Sequence, residues 1–330
     1  MKRTVFVLDS AVVPHASDAR YEEEVLAGIA DVKLLYLQGD ADLEPYADSA
    51  DGLILWHQVE LGASLIKRLS KTQIIVRNGV GFEAVNCDAA NEAGIPVSNV
   101  PDYGTEEVAD HAMSLCLALT RRLKPLTWSV ARGEWKWEPA AACQRIRGKI
   151  FGIIGCGRIG TATALRAKAF GYEVRFYDPF VTAGYEKAIG ALREKSLAAL
   201  LSVADVISLH APLTAETRHM IGEEQLTLMK RGALLINTAR GLLVSFAAVE
   251  RALAEERLGG AGLDVLEYEP LGAELAGRFA NCIVTPHSAF YSQEAMVEMR
   301  RSSARIVAEA LSEGRFLNVV NHPSKACAAI

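Results

Sequence analysis

The stretch Ile150-Phe151-Gly152-Ile153-Ile154-Gly155-Cys156-Gly157-Arg158-Ile159-Gly160 decides the fold. A short apolar run leads into Gly-x-Gly-x-x-Gly, and the residues after it have helical spacing up to Gly171. A second apolar run, residues 174–177, ends in Asp178, roughly 20 positions beyond the last glycine. Strand, glycine turn, helix, strand and acid in this order form the dinucleotide-binding fingerprint, far more specific than the glycines alone. Gly155 permits the tight turn, Gly157 lets the backbone approach a pyrophosphate, and Gly160 lets helix and sheet pack closely. The helix start that carries Arg158 and Ile159 offers free N–H groups to the phosphates, and Arg158 is expected to face the pyrophosphate. Asp178 can accept from both ribose hydroxyls and would repel a 2′-phosphate, so the expected cofactor is NAD rather than NADP.

Outward from this stretch the pattern continues in both directions. Short β-branched runs alternate with amphipathic segments, which implies βαβ units and parallel sheets. In the first hundred residues the strand candidates are 4–8, 32–36, 52–55, 74–76 and 96–98, with helical spacing over 21–29 and 63–69. Val100-Pro101-Asp102-Tyr103-Gly104 breaks the series. Residues 105–123 then read as one helix, with Glu106 and Glu107 in its first turn and Pro125 ending it. From residue 150 six strands are expected, at 150–154, 174–177, 206–209, 233–237, 261–265 and 283–285, and a last helix at about 293–311. Three of the four tryptophans, Trp128, Trp135 and Trp137, fall together in a polar context, which fits either core packing or, more readily, a subunit contact.

The totals bound the answer. A chain of 330 residues predicts two domains and can bury a full core. A net charge of −5 argues against a protein that relies on a basic footprint to hold nucleic acid. The six cysteines include no Cys-x-x-Cys, and the histidines no His-Glu-x-x-His, so no metal is expected and the thiols read as scattered and reduced. The apolar run 5–8 is too short for a signal segment, and no stretch approaches the ~20 residues of a membrane span. A cytoplasmic protein without membrane contact is expected.

Three residues with the chemistry for keto-acid reduction follow predicted strands. Arg240 lies in Asn237-Thr238-Ala239-Arg240-Gly241, Glu269 in Asp264-Val265-Leu266-Glu267-Tyr268-Glu269-Pro270, and His287 in Thr285-Pro286-His287. A hydride transfer of this kind needs a cation for the carboxylate, a proton donor for the carbonyl oxygen, and a group that holds the donor. Open α/β sheets bind ligands at the strands' carboxyl ends, where all three are expected.

At this point the sequence resembles the D-isomer-specific 2-hydroxy acid dehydrogenases over residues 74–300. The resemblance rests on Arg77-Asn78-Gly79-Val80-Gly81, Val100-Pro101-Asp102-Tyr103, the glycine fingerprint with Asp178, His210-Ala211-Pro212-Leu213, and the segments around Arg240, Glu269 and His287. It implies that Arg240 binds the carboxylate, that His287 is the general acid/base, and that Glu269 holds the imidazole and raises its pKa. His210, Ala211, Pro212, Thr238, Ala239 and Asp264 would line the NAD cleft. The turn Asn78 to Gly81 would present backbone N–H groups to the substrate carboxylate, and Arg77, Asn78, Gly79 and Val80 would be substrate-binding residues.

The pattern Thr285-Pro286-His287-Ser288-Ala289-Phe290-Tyr291-Ser292, with Glu298-Met299-Arg300 and Leu55-Trp56-His57, is similar to the C-terminal-binding-protein branch. There His57 and Phe290 would face the substrate, although that branch carries Trp where this chain has Phe290. Ser245-Phe246 replaces the family's usual acidic pair, a change expected to affect a helix start rather than the chemistry.

The implied architecture is α/β with two doubly wound domains, a Rossmann NAD-binding domain inserted in a flavodoxin-like substrate domain. Residues 1–101 and 290–330 would bind substrate and 102–289 NAD, with a dimerisation arm at about 105–145 and a homodimer as the assembly. The expected activity is interconversion of a D-2-hydroxy acid and its 2-keto acid. The alternative is an NAD(H)-sensing corepressor-like interaction protein.

Overall fold

The computed structural model describes residues 3–270 and 281–323, and the chain divides into two units, Met1–Tyr103 with Ser292–Ile330, and Gly104–Tyr291. The first unit contains β1 (Arg3–Ser10), α1 (Arg20–Val25), β2 (Ala30–Leu37), β3 (Gly52–Leu55), α2 (Ala63–Ile66), β4 (Ile74–Arg77), α3 (Cys87–Ala93) and β5 (Val97–Asn99). Its sheet is parallel throughout, in the order β2-β1-β3-β4-β5. That is the flavodoxin-like doubly wound order. Central parallel strands are covered on both faces, so residues Val5–Leu8 of β1 and all of β3 read as unbroken apolar runs and are buried, whereas the edge strand β2 tolerates Lys33 and Tyr36.

Both ends of the chain complete this unit. The long helix Gln293–Glu313 packs on β3 and β4. Val319 bridges antiparallel to Ser98, and the Asn321 side chain accepts from the Val97 amide (2.8 Å) and donates to the Ile95 carbonyl (2.9 Å). Arg300 on that helix reaches Glu22 of α1 with two bonds of 2.7 and 2.6 Å, and Glu22 is fully buried.

The second unit contains α4 (Thr105–Thr120), α5 (Leu123–Ala131), β6 (Ile150–Ile154), α6 (Arg158–Ala169), β7 (Glu173–Tyr177), α7 (Tyr185–Ile189), β8 (Leu192–Arg193), α8 (Leu197–Val203), β9 (Val206–Leu209), α9 (Glu223–Leu228), β10 (Ala233–Asn237), α10 (Phe246–Ala254), β11 (Leu258–Leu263) and β12 (Cys282–Val284). Its seven-stranded parallel sheet runs β12-β11-β10-β9-β6-β7-β8. The order reverses between β6 and β9, as in a Rossmann unit. β6, β9 and β10 form the buried centre, with Phe151, Ile153, Ile207 and Leu235 fully covered.

Three expectations are corrected here, and one of two alternatives for the tryptophans is set aside. The sheet has a seventh strand, β8, whose two residues at an edge are too few to leave a periodic signal. The helix expected over 105–123 breaks at Arg122, which adopts φ 51, and restarts as α5. Pro125 does not end a helix. It sits in the first turn of α5, where the missing N–H has no intrahelical partner to lose. The tryptophans are not a core, since Trp135 is 91% and Trp137 71% exposed on this chain. Among the described residues no helix is long and apolar enough to cross a membrane.

Candidate active site

The glycine fingerprint forms a cradle in the second unit. Gly155 adopts φ 86, and a Cβ there would lie 2.7 Å from the Ala211 amide nitrogen. A Cβ on Gly160 would stand 2.1 Å from the Gly155 carbonyl oxygen, so helix α6 can approach the turn only without a side chain. Gly157 faces open space at the start of α6, next to exposed Arg158 and half-buried Ile159. Asp178 follows β7 and accepts from the Cys156 amide (2.8 Å) and the Phe180 amide (2.8 Å). Its carboxylate is thereby aimed at the glycine loop before any ligand arrives. Burial pushes the Cys156 thiol up to about 11, so the cysteine within the fingerprint stays protonated and inert.

Two buried polar atoms mark the adjoining strand ends. His210, after β9, pairs its Nε2 with the Ser208 hydroxyl (2.9 Å), while its Nδ1 is buried without a hydrogen-bond partner. Burial lowers its pKa to about 3, so the ring is neutral at working pH. Thr238, after β10, has a buried hydroxyl in the same condition. Buried polar atoms without partners are uncommon, and here they sit beside the cradle. The residues present therefore fit a dinucleotide: open glycines for the pyrophosphate, Asp178 for a ribose, and unsatisfied polar atoms at the next two strand ends. Ala211 is half-buried and Pro212 exposed beyond His210, and Ala239 follows Thr238.

The catalytic candidates occupy the same carboxyl edge. His287 Nδ1 meets Glu269 Oε2 at 2.9 Å, with both side chains more than a third exposed. An ionised carboxylate only accepts, so Nδ1 carries the proton of this bond. The other Glu269 oxygen accepts from the Leu266 amide (2.9 Å), which fixes the carboxylate. His287 itself adopts φ 53, a conformation rare for a side chain of this size. Its amide donates to the Asp264 carbonyl at 2.8 Å. Arg240 follows β10, and its Nη1 donates to the Ala239 carbonyl at 2.7 Å. The Phe290 ring stands edge-on to His287, with centroids 6.5 Å apart.

Asp264 directly follows β11. It is buried, and its carboxylate accepts from the Thr285 hydroxyl (2.6 Å), the Ser288 amide (3.0 Å) and the Ala289 amide (2.9 Å). It braces the loop that carries His287, and His111 on α4 extends the brace through Thr285 (2.9 Å). Asn237 was not singled out in the sequence, yet its side chain accepts from the Ala239 amide (3.0 Å) and donates to the Arg240 carbonyl (2.9 Å), shaping the arginine turn. Glu267 accepts from the Phe246 amide (2.9 Å) and so caps α10, the helix whose start carries the unusual Ser245-Phe246 pair.

In the first unit the turn after β4 is held by its own hydrogen bonds. The Asn78 amide donates to the Leu55 carbonyl (2.7 Å) and the Gly79 amide to the Arg77 carbonyl (2.9 Å). The Asn78 side chain is buried and accepts from the Ser303 hydroxyl (2.8 Å). Asn78 and Gly79 therefore shape the turn, with Gly79 at φ 138. Arg77 Nη1 donates to the Asn78 carbonyl (2.6 Å). His57 follows β3 and meets the His15 ring edge-on at 4.5 Å.

Together these features define the class, a doubly wound α/β protein whose second unit is built to take a nicotinamide dinucleotide. Residues 113–289 match the family description "D-isomer specific 2-hydroxyacid dehydrogenase, NAD binding domain". The chain is 39% identical over 265 residues to the glyoxylate reductase of Korarchaeum cryptofilum, covering 79% of this chain and 78% of that protein. It is 36% identical over 307 residues, 92% of this chain, to the D-3-phosphoglycerate dehydrogenase of Methanocaldococcus jannaschii, of whose length it spans 56%. A solved glyoxylate reductase from Paecilomyes thermophila superimposes with a TM-score of 0.87 at 29% identity, over 97% of this chain and 99% of that one. The chain belongs to the D-isomer specific 2-hydroxyacid dehydrogenase family, and NAD is its cofactor.

Proposed function

We propose that the chain is an NAD-dependent D-2-hydroxyacid dehydrogenase that interconverts a small 2-keto acid and its D-2-hydroxy acid. The observation that carries this reading is the 2.9 Å His287–Glu269 pair on the carboxyl edge of an NAD-binding sheet. Bound NADH supplies the hydride. Arg240 binds the substrate carboxylate and polarises the carbonyl, a two-pronged contact that lysine cannot reproduce. His287 gives its Nε2 proton to the carbonyl oxygen during reduction and takes it back during oxidation. Glu269 keeps Nδ1 protonated and fixes the plane of the ring. Asp264 and Asn237 act as positioning residues for the loops of His287 and Arg240. In the first unit the Val80 and Gly81 amides, with Arg77 and His57, serve the substrate.

The names of the relatives make glyoxylate the first substrate to try. The test is NADH oxidation over a panel of glyoxylate, hydroxypyruvate, pyruvate and phenylpyruvate, with His287→Gln beside the wild type. We expect turnover of at least one keto acid and a loss of about 10²-fold or more in kcat for His287→Gln. Unimpaired turnover in that variant removes His287 from its role. Within the family, the Thr285–Ser292 pattern and His57 support the C-terminal-binding-protein-like branch.

A further inference from the structure

The first unit holds a polar cluster around His57, and the proposed mechanism leaves its other members, Asp9, His15 and Trp56, unexplained. Its strand order reverses between β1 and β3. Outside the carboxyl ends of two such strands the chain departs in opposite directions and opens a crevice, where open α/β sheets bind ligands. Asp9 and Ser10 end β1, and Trp56 and His57 follow β3. The cluster therefore stands at the topological switch point of this unit.

The loop after β1 is wound around one carboxylate. Asp9 is fully buried and accepts from the amides of Ser10 (2.8 Å), His15 (2.7 Å) and Ala16 (2.7 Å). Its Oδ1 also lies 3.3 Å from His15 Nδ1. The Tyr36 hydroxyl, from β2, donates to the Ala16 carbonyl (2.7 Å) and pins the far side of the loop. Burial pushes the Asp9 carboxyl up, but the bonds from the His15 ring and the three amides outweigh it and hold the group below the usual carboxylate range. An ionised Asp9 can only accept, so His15 keeps its proton on Nδ1 and turns Nε2 away from the carboxylate.

The rings are as ordered as the loop. His15 lies nearly parallel on Trp56, with centroids 5.3 Å apart and planes 14° apart, and it meets His57 edge-on at 4.5 Å. Trp56 is 1% exposed, and its indole N–H is buried without a hydrogen-bond partner. A buried indole N–H usually finds an acceptor. A loop brace accounts for Asp9 and the three amides. It does not account for two imidazoles packed together at a ligand-binding crevice.

We propose that His15 and His57, oriented by Asp9, form a side-chain subsite that takes a hydroxyl or carboxylate carried by the substrate beyond its 2-keto acid end, so that the enzyme favours polar over alkyl keto acids. The proposal rests on the dehydrogenase reading above. His15 and His57 determine specificity, and Asp9 is a positioning residue.

The test compares hydroxypyruvate and oxaloacetate, which carry a hydroxyl and a carboxylate, with 2-oxobutyrate, which carries an alkyl group. His15→Phe keeps a flat ring against Trp56 and removes both nitrogens. We expect the ratio of kcat/KM for a polar keto acid to that for 2-oxobutyrate to fall by about tenfold or more, carried by KM, because a site built to hydrogen-bond loses its preference with its donor. A fall confined to oxaloacetate assigns the subsite to a carboxylate, and one confined to hydroxypyruvate to a hydroxyl. His15→Gln, which retains an N–H, should recover part of the ratio. A ratio unchanged within about twofold for both polar substrates overturns the proposal, whatever happens to overall activity. If His15→Phe does not fold, His57→Phe carries the same comparison. If the wild type turns over none of the three, the dehydrogenase reading is decided separately by glyoxylate, pyruvate and phenylpyruvate, and the subsite is read by ring nitrogen NMR of the NAD⁺-loaded wild type. Shifts of the His15 and His57 signals with malonate or tartronate but not with butyrate sustain it, and no shift with any of them sinks it.

Discussion

At φ 53 His287 occupies a backbone region that costs about 1–3 kcal/mol and persists only where neighbours over-determine it. Asp264 supplies that constraint, holding the loop through Ser288, Ala289 and Thr285. The pairing of His287 with Glu269 was legible in the sequence because each residue follows a strand on one sheet edge. The brace was not, since its contacts join Asp264 to main-chain donors more than twenty residues away and leave no local pattern. Asp9 and His15 escaped notice because their contacts lie within one irregular loop, which carries no periodic pattern. Asp178, by contrast, was readable from its spacing, and its place beside the Cys156 amide sharpens the expectation of NAD over NADP. We expect Asp178→Ala to raise the relative efficiency with NADPH over NADH by about tenfold or more, ~1.4 kcal/mol, in steady-state kinetics with both cofactors. An unchanged cofactor ratio would remove Asp178 from that selection.

Among the elements, the strands were legible to within one to three residues because parallel strands buried on both faces are uniformly apolar. The failures lie where side-chain periodicity carries no information, in the two residues of β8 and at the Arg122 break between α4 and α5. Two polar ties between elements lead to stability predictions. Arg300→Leu would leave Glu22 charged and buried between α1 and the helix Gln293–Glu313, at a cost of about 3–5 kcal/mol in denaturant unfolding, and Glu22→Leu added to it should restore part of the loss. Asp205, at the start of β9, accepts from the Ile150 amide (2.8 Å) and lies near Lys230 (3.3 Å) and Lys149 (3.4 Å). Burial raises its pKa, but these partners outweigh it and hold the carboxyl below the model-compound value of 3.8. The unfolded chain therefore takes up this proton first. The stabilisation is complete above about pH 4 and fades as the pH falls through the folded-state pKa. Asp205→Asn should cost about 1–2 kcal/mol at pH 7, with the gap to wild type closing on acidification. A gap that widened on acidification would show that the tie is not ionic.

The exposed Trp135 and Trp137 belong to the scale of the whole molecule. Indoles left in solvent by one chain are expected to be covered by another, and we propose that this arm forms the homodimer contact. Trp135→Glu with Trp137→Glu should shift the protein to the monomer position in sedimentation while the second unit keeps its fold. A dimer that survives both charges would place the contact elsewhere. The resemblance carried the two-unit design, because the chain leaves the first unit at Tyr103 and returns to it at Ser292, an event no local window reveals. That return also sets an order of assembly during synthesis. The five strands of the first sheet leave the ribosome before the helix that covers β3 and β4 and before Asn321, which caps β5. The second unit is continuous in sequence and can fold as soon as its last strand emerges. The earliest-made part of the polypeptide is thus among the last to become protected, and released chains truncated near residue 291 should present a protease-resistant dinucleotide unit beside an unprotected amino-terminal segment.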